Sequence, residues 1–81
     1  MDTITFNRAA FKHGVAEAEI VRAFETFVFE AAFEDEDNKY LLLGFNQNGN
    51  LIEVMYNRID EASINVFHAM PCRGVFREML D

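Results

Sequence analysis

The chain has 81 residues, of which 51% are hydrophobic, and it contains nine phenylalanines but no tryptophan. This length fits a single domain over residues 1–81, and the apolar content excludes an intrinsically disordered chain. Seven basic residues against fourteen acidic ones give a net charge of −7, which repels nucleic acid at long range.

Several features of the sequence predict a cytoplasmic protein without a membrane anchor. No apolar run approaches the roughly 20 residues that span a bilayer, and the N-terminal residues lack the order of a signal peptide. The single cysteine, Cys72, cannot form an internal disulfide. The two histidines have no partner at metal-ligand spacing and no glycine-rich phosphate loop is present, so we expect no metal and no cofactor.

The N-terminal third of the chain is predicted to be helical. Thr5 or Asn7 can cap a short helix that Gly14 closes, because glycine accepts the left-handed conformation that often follows a helix. A second helix is predicted from about Ala16 to Thr26. Its apolar residues fall on one face: Ile20, Phe24 and Phe27.

From residue 27 onward the pattern is that of β-strands. Alternating or continuous apolar runs predict four strands, over residues 27–33, 39–46, 50–59 and 63–70. Asn48-Gly49 predicts a hairpin turn, because both residue types tolerate positive φ angles. Asp60-Glu61 predicts a second tight turn.

A short C-terminal helix is predicted after Pro71, because proline is favoured at the first helical position. Its apolar residues are expected to form one face: Val75, Phe76, Met79 and Leu80. The predicted fold is therefore α+β. It comprises two N-terminal helices, a four-stranded antiparallel meander and a short C-terminal helix, with the helices on one face of the sheet.

Two ionisable residues on the predicted strands are candidates for a site. Strand alternation places His68 on the same face as Ile64, Val66 and Met70. His68 is either packed at the edge of the core with one hydrogen bond, or a general acid or base at the strand's end. Glu53 is expected to be exposed, either simply solvated or acting as a base beside an arginine.

Basic residues cluster near both ends of the chain. Lys12 and His13 end the first predicted helix, where the helix dipole stabilises positive charge, so structural and functional roles are both open. Arg73 and Arg77 are one helical turn apart and form either an anion site or surface ion pairs. The acidic run at residues 34–37 predicts a solvated loop; a cation site or the footprint of a basic partner is the alternative.

The segment FKHGVAEAEIVRAF, residues 11–24, resembles the opening of BrnT-type toxins, which have a short helix, a lysine-histidine-glycine turn and an acidic amphipathic helix. The resemblance extends over residues 6–80. The ending FHAMPCR, followed by GVFREML, is similar to a small actinobacterial-type subgroup with a HAMP-x-R motif. The resemblance implies a RelE-like fold, ribonuclease activity and a cognate antitoxin, as in type II toxin–antitoxin pairs.

Residue by residue, the resemblance implies catalytic roles for Lys12 and His13 in the turn, and for His68 and Arg73 in the closing motif. BrnT-type toxins end the last strand with Ser-Ala-Arg, where this chain has His68–Met70. Methionine thus replaces the family's arginine. Arg73 could supply the cation from three residues later.

Two functions are consistent with these residues. Cleavage of mRNA without a metal needs a base, an acid and a cation. His68, with His13 or Lys12, and Arg73 could supply them, while Arg58 and Arg77 would contact the nucleic acid. The alternative is a non-catalytic protein-interaction module, a degraded or repurposed toxin fold that binds a basic partner.

Apolar residues on both faces of the middle strands predict surface that a partner covers, either a basic antitoxin or a second copy in a homodimer. The residues concerned are Leu41, Leu42, Leu43, Ile52, Val54 and Met55.

Overall fold

The computed structural model describes residues 3–80, which form an α+β fold around one five-stranded sheet. The strands are β1 (Thr3–Phe6), β2 (Phe29–Ala32), β3 (Lys39–Phe45), β4 (Leu51–Asp60) and β5 (Ser63–Pro71). The α-helices are α1 (Glu17–Glu25) and α2 (Gly74–Arg77), and two 3₁₀ turns cover Arg8–Phe11 and Glu78–Leu80. No helix in the described part of the chain is long and apolar enough to cross a membrane.

The strand order is β1-β5-β4-β3-β2, and β1 runs parallel to β5 while the other neighbours are antiparallel. The predicted four-stranded antiparallel meander is therefore wrong. The meander of β2 to β5 is present, but residues 3–6 return to pair with β5 and make the sheet mixed. Apolar Ile4 and Phe6 alternate with exposed Thr3 and Thr5, so β1 turns its apolar side to the core.

The prediction of two N-terminal α-helices is also wrong, because the first is only a 3₁₀ turn. The Asn7 side chain accepts a hydrogen bond from the Ala9 N–H and caps it, and Gly14 follows with a φ of +81°. Helix α1 is confirmed, with Ala16 and Thr26 as its capping residues. Phe27 is predicted to lie on the apolar face of this helix with Ile20 and Phe24. This prediction is wrong, because Phe27 lies beyond the end of the helix and its side chain is half exposed.

Helix α1 packs on one face of the sheet and encloses the first core cluster, which includes Ile20, Leu42 and Val54. Gly44 allows this close approach: a Cβ atom there would lie 2.2 Å from the Ala23 carbonyl oxygen. Buried Tyr56 belongs to the same cluster and donates its hydroxyl to Glu30 on β2.

The other face of the sheet carries a second core cluster of Leu41, Leu43, Leu51 and Met55. Phenylalanine rings surround it, and Phe76 of α2 packs over it, so helices cover both faces and not one as predicted. All six residues predicted to leave apolar surface exposed are buried: Leu41, Leu42, Leu43, Ile52, Val54 and Met55.

Two predictions for the C-terminal helix are wrong. Strand β5 continues through Pro71, and α2 begins only at Gly74. Of the four apolar residues expected to form its buried face, only Phe76 packs against the core. The other three are exposed: Val75, Met79 and Leu80.

Candidate functional site

A β-bulge in β5 determines where His68 lies. Met55 on β4 pairs with His68, but the next residue, Tyr56, pairs with Val66, so Phe67 is the extra residue. Directly paired residues point to the same side of a sheet, and His68 therefore lies on the side of Met55. The predicted shared face of His68 with Ile64 and Val66 is wrong, because those two residues belong to the first cluster.

Glu53 is the centre of the polar cluster on this side of the sheet. Its side chain, near the start of β4, is 0% exposed, so the expectation of an exposed, solvated glutamate is wrong. Its carboxylate accepts hydrogen bonds from the backbone N–H of Arg73 at 2.9 Å and from Arg73 Nη2 at 2.6 Å. Arg73 Nε contributes two longer contacts, at 3.1 and 3.2 Å. Arg73 thus stabilises the negative charge of Glu53 through both its backbone N–H and its guanidinium group.

His68 is the third member of this cluster, with Nε2 2.8 Å from Glu53 Oε2. An ionised carboxylate can only accept, so Nε2 carries the proton and Nδ1 of neutral His68 is the ring's open acceptor. The His68 side chain is 17% exposed and remains reachable from solvent. Glu53 therefore fixes both the tautomer and the orientation of the imidazole.

Opposing effects act on the ionisation of Glu53. Burial raises its pKa, but the hydrogen bonds from the Arg73 side chain and backbone and from His68, with the charge of Arg73, outweigh that effect. The pKa of Glu53 therefore lies below its usual value, and the carboxylate is ionised at neutral pH. In return, the bond to Glu53 raises the pKa of Arg73.

His13 meets His68 although 54 intervening residues separate them in the sequence. Their ring centroids are 5.6 Å apart, with the planes at 68° in an edge-to-face arrangement. Gly14 makes the turn that brings His13 to the edge of β5, where the strand is no longer paired with β1. His13 is exposed, so it presents a second imidazole to solvent beside the first.

His13 also lines a cleft of about 370 Å³ that separates the Gly14 turn from the C-terminal segment. Arg77 and Cys72 line its other side, and Leu51 and Ile52 contribute apolar walls. Burial raises the pKa of the Cys72 thiol, and Glu53 raises it further, so the thiol is protonated and a poor nucleophile at neutral pH.

The remaining predicted site residues are placed differently. Lys12 is exposed and adjoins His13 in the turn. Arg58 pairs with Ile64 of the first cluster, on the opposite side of the sheet from Glu53, and its guanidinium carbon lies 5.7 Å from the Tyr40 ring centroid. Within residues 3–80 no group of three or more histidine, cysteine and acidic residues is placed to hold a metal.

The geometry thus brings together His13, His68 and Arg73, sets Lys12 and Arg77 nearby, and leaves Arg58 elsewhere. It adds Glu53, which the sequence predicts to be exposed, either solvated or a base beside an arginine, and which is instead buried and bound to Arg73. One signal in the sequence could have indicated its burial: Glu53 lies between Ile52 and Val54 in a strongly apolar strand. A carboxylate that is buried in such a strand requires a charged or hydrogen-bonding partner.

Comparison with known proteins finds a similar solved structure but no similar sequence. No family model matches the sequence, and no curated protein sequence matches it either. The structure is similar to the crystal structure of the Brucella abortus ribonuclease toxin BrnT, with a TM-score of 0.65. The similarity covers 90% of this chain and 99% of that one at 17% sequence identity. The BrnT-like fold expected from the sequence is thus confirmed.

Proposed function

We propose that this protein is the toxin component of a type II toxin–antitoxin pair and a metal-independent ribonuclease that cleaves mRNA in the cytoplasm. The observation that carries the proposal is the contact between His13 and His68 beside the ion pair of buried Glu53 with half-exposed Arg73. The similarity to the fold of a ribonuclease toxin supports the same class of activity. The HAMP-x-R ending supplies both His68 and Arg73, which meet on Glu53.

The first step of the proposed reaction removes the proton from a ribose 2′-hydroxyl. Nδ1 of His68 accepts that proton, because Nε2 is already bound to Glu53. The ionised Glu53 stabilises the imidazolium that forms, as a carboxylate does for a catalytic histidine. The 2′-oxygen then attacks the phosphorus, and a phosphorane with additional negative charge develops.

The second step expels the 5′-oxygen, which needs a proton as the P–O bond breaks. His13 donates this proton, since its ring contacts His68 and is open to solvent. Arg73 contacts Glu53 through Nε and Nη2, which leaves Nη1 to bind a phosphate oxygen. Lys12, adjacent to His13, adds a second cation. The products are a 2′,3′-cyclic phosphate and a free 5′-hydroxyl.

The test is cleavage of a single-stranded RNA by the purified protein in the presence of EDTA. We expect products with 2′,3′-cyclic phosphate ends and a bell-shaped pH dependence that reports one acid and one base. His68→Ala and His13→Ala should each lower the rate at least about a hundredfold, in line with typical acid–base contributions. Arg58→Ala is the matched control and should retain activity, because Arg58 lies on the opposite side of the sheet.

Cleavage that persists in the His13→Ala, His68→Ala double variant would overturn the assignment of these residues. A wild-type protein that does not cleave RNA at low salt, and does not arrest growth when expressed, would overturn the ribonuclease proposal itself. Near-UV circular dichroism of each variant shows whether a loss of activity reflects a loss of fold.

The second candidate is a non-catalytic interaction module that binds a basic protein. The net charge of −7 favours it, because an acidic chain repels RNA at long range. The position of Arg73 also favours it, since Glu53 already compensates the charge of that guanidinium. Binding of a basic antitoxin is common to both candidates, whereas cleavage by wild-type protein that is lost in His68→Ala distinguishes the first.

A further inference from the structure

Strand β2 is an edge of the sheet within residues 3–80. It pairs with β3 on one side, from Phe29 opposite Leu43 to Ala32 opposite Tyr40, and has no strand on its other side. An edge strand presents unpaired N–H and C=O groups that can bind a further strand. Exposure of Glu30 and Ala32 shows that this edge is open to solvent.

An apolar groove lies beside this edge on the side of the second core cluster. The groove is lined by residues of β2, by Phe33 directly after β2, by Leu41 of β3 and by two residues of the C-terminal segment, Phe76 and Met79. Its volume is about 90 Å³, the share of about three liquid water molecules. A groove of this size can hold one apolar side chain. Such a side chain would cover Met79, which is 49% exposed.

Most of the charged side chains around the groove are acidic, although Lys39 lies over the Phe33 ring and Arg73 over the Phe76 ring. Phe33 is followed directly by the acidic run Glu34–Asp37, all four residues of which are exposed. Lys39 forms an ion pair with Glu36 at 2.8 Å, and the other three make no ion pair with any residue in 3–80. Glu78 adjoins Met79 and is also exposed. A bound segment would therefore meet apolar side chains flanked by negative charge.

We infer that β2 is a docking edge for an extended basic segment of a partner protein, which adds a sixth strand to the sheet. Alternate side chains of an added strand point to the groove side, next to Phe29 and Phe33, and one apolar residue fills the groove. Its other residues are lysine or arginine, which lie on the same face as exposed Glu30 and within reach of the acidic run that follows β2. A second copy of this chain is disfavoured, because β2-to-β2 pairing would bring together two chains that each carry a net charge of −7.

This inference does not depend on catalysis, and a binding experiment tests it directly. The probe is a short peptide in which valine and lysine alternate, and its complex with the full chain is followed by fluorescence anisotropy at low salt. We expect saturable binding and amide chemical-shift changes centred on β2. An otherwise identical peptide with glutamate in place of lysine should not bind.

Backbone methylation distinguishes an added strand from a bound helix. Only alternate N–H groups of an added strand point to its neighbour. Two further peptides therefore carry N-methyl groups on the odd or on the even residues. We expect one of the two to lose binding and the other to retain it. Equal loss from both peptides would overturn the strand pairing.

The groove itself is tested by a pair of variants with the same change in charge. Met79→Asp places a charge in the groove and should weaken peptide binding at least about tenfold, because an apolar contact is lost and negative charge is buried. Val75→Asp adds the same charge four residues earlier, on α2, at an exposed residue that does not line the groove, and should leave affinity within about twofold.

Three results would overturn the docking proposal. The first is that the valine-lysine peptide does not bind at concentrations up to millimolar. The second is that Met79→Asp and Val75→Asp change its affinity equally. The third is that the amide chemical-shift changes are centred away from β2. Self-association of the free chain that Met79→Asp abolishes would instead assign the groove to a homodimer. None of these results bears on RNA cleavage, so the two proposals fail independently.

Discussion

Glu53 shows how far single residues could be read from the sequence. Strand alternation correctly separates it from Ile52 and Val54, which belong to the first core cluster. The sequence cannot show that the side it faces is also covered, because the second cluster on that side, and the contacts of Glu53 with His68 and Arg73, form only in the folded chain. Nor does it show that Arg73, twenty residues away, reaches its carboxylate. The pairing is a tertiary contact without a local signal.

The ionised state of Glu53 predicts how stability depends on pH. Its folded-state pKa is lowered, so its contribution is fully present above the ordinary glutamate value of about 4.3. That contribution is lost as the pH falls through the lower folded-state pKa. We expect the free energy of unfolding of the wild-type protein to decrease on acidification through this range.

Glu53→Gln removes this titration while keeping the shape of the side chain. We expect this variant to be less stable than wild type at pH 7 and to approach it as the pH falls, as measured by urea unfolding. Glu17→Gln, at an exposed residue of α1, is the control for the loss of one negative charge at the surface. A constant difference between Glu53→Gln and wild type from pH 7 to pH 3 would contradict the prediction.

At the scale of elements, local patterns located α1 and β2 to β5 but could not give the complete sheet. The turn at Asn48-Gly49 is confirmed, with Gly49 at a φ of +79° and Asn46 and Asn50 paired at its base. Strand β1 alternates correctly and was still missed, because four residues are a weak signal and their partner is about sixty residues away. The bulge at Phe67 is likewise set by pairing with β4, and it reversed the predicted face of His68.

Helix α1 and strand β3 meet at Gly44, and this contact predicts the effect of a single methyl group. Gly44→Ala would place a Cβ atom 2.2 Å from the Ala23 carbonyl oxygen, a backbone atom that moves only if the whole helix moves. We expect a loss of at least about 1–3 kcal/mol in the free energy of unfolding, the usual cost of overpacking. Gly74→Ala is the control, since no atom lies within 4 Å of its new Cβ and the change should be near neutral. Equal stabilities of the two variants would contradict the close packing.

At the scale of the whole molecule, charge is distributed unevenly. The acidic run lies at the β2–β3 end of the sheet, whereas Arg77 lines the cleft, Lys12 adjoins His13, and Arg73 binds the carboxylate that holds His68. Glu19 is the one acidic residue among those that line the cleft. A net charge of −7 therefore does not describe the surface that RNA would contact. It does limit the number of phosphate contacts to the few cations near the cleft, and this limit can be measured.

If RNA binds at the cleft, its affinity should depend only moderately on salt. Three cations predict a slope of about −2 for the logarithm of the binding constant against the logarithm of salt concentration, since each phosphate contact on a single strand contributes about −0.7. Screening of the repulsion from the −7 chain makes the slope shallower still. We expect Lys12→Ala to reduce its magnitude by about 0.7, and Arg58→Ala to leave it unchanged, in titrations with a 2′-O-methyl RNA that cannot be cleaved. A slope steeper than about −3, or an equal effect of the two variants, would place RNA on a surface other than the cleft.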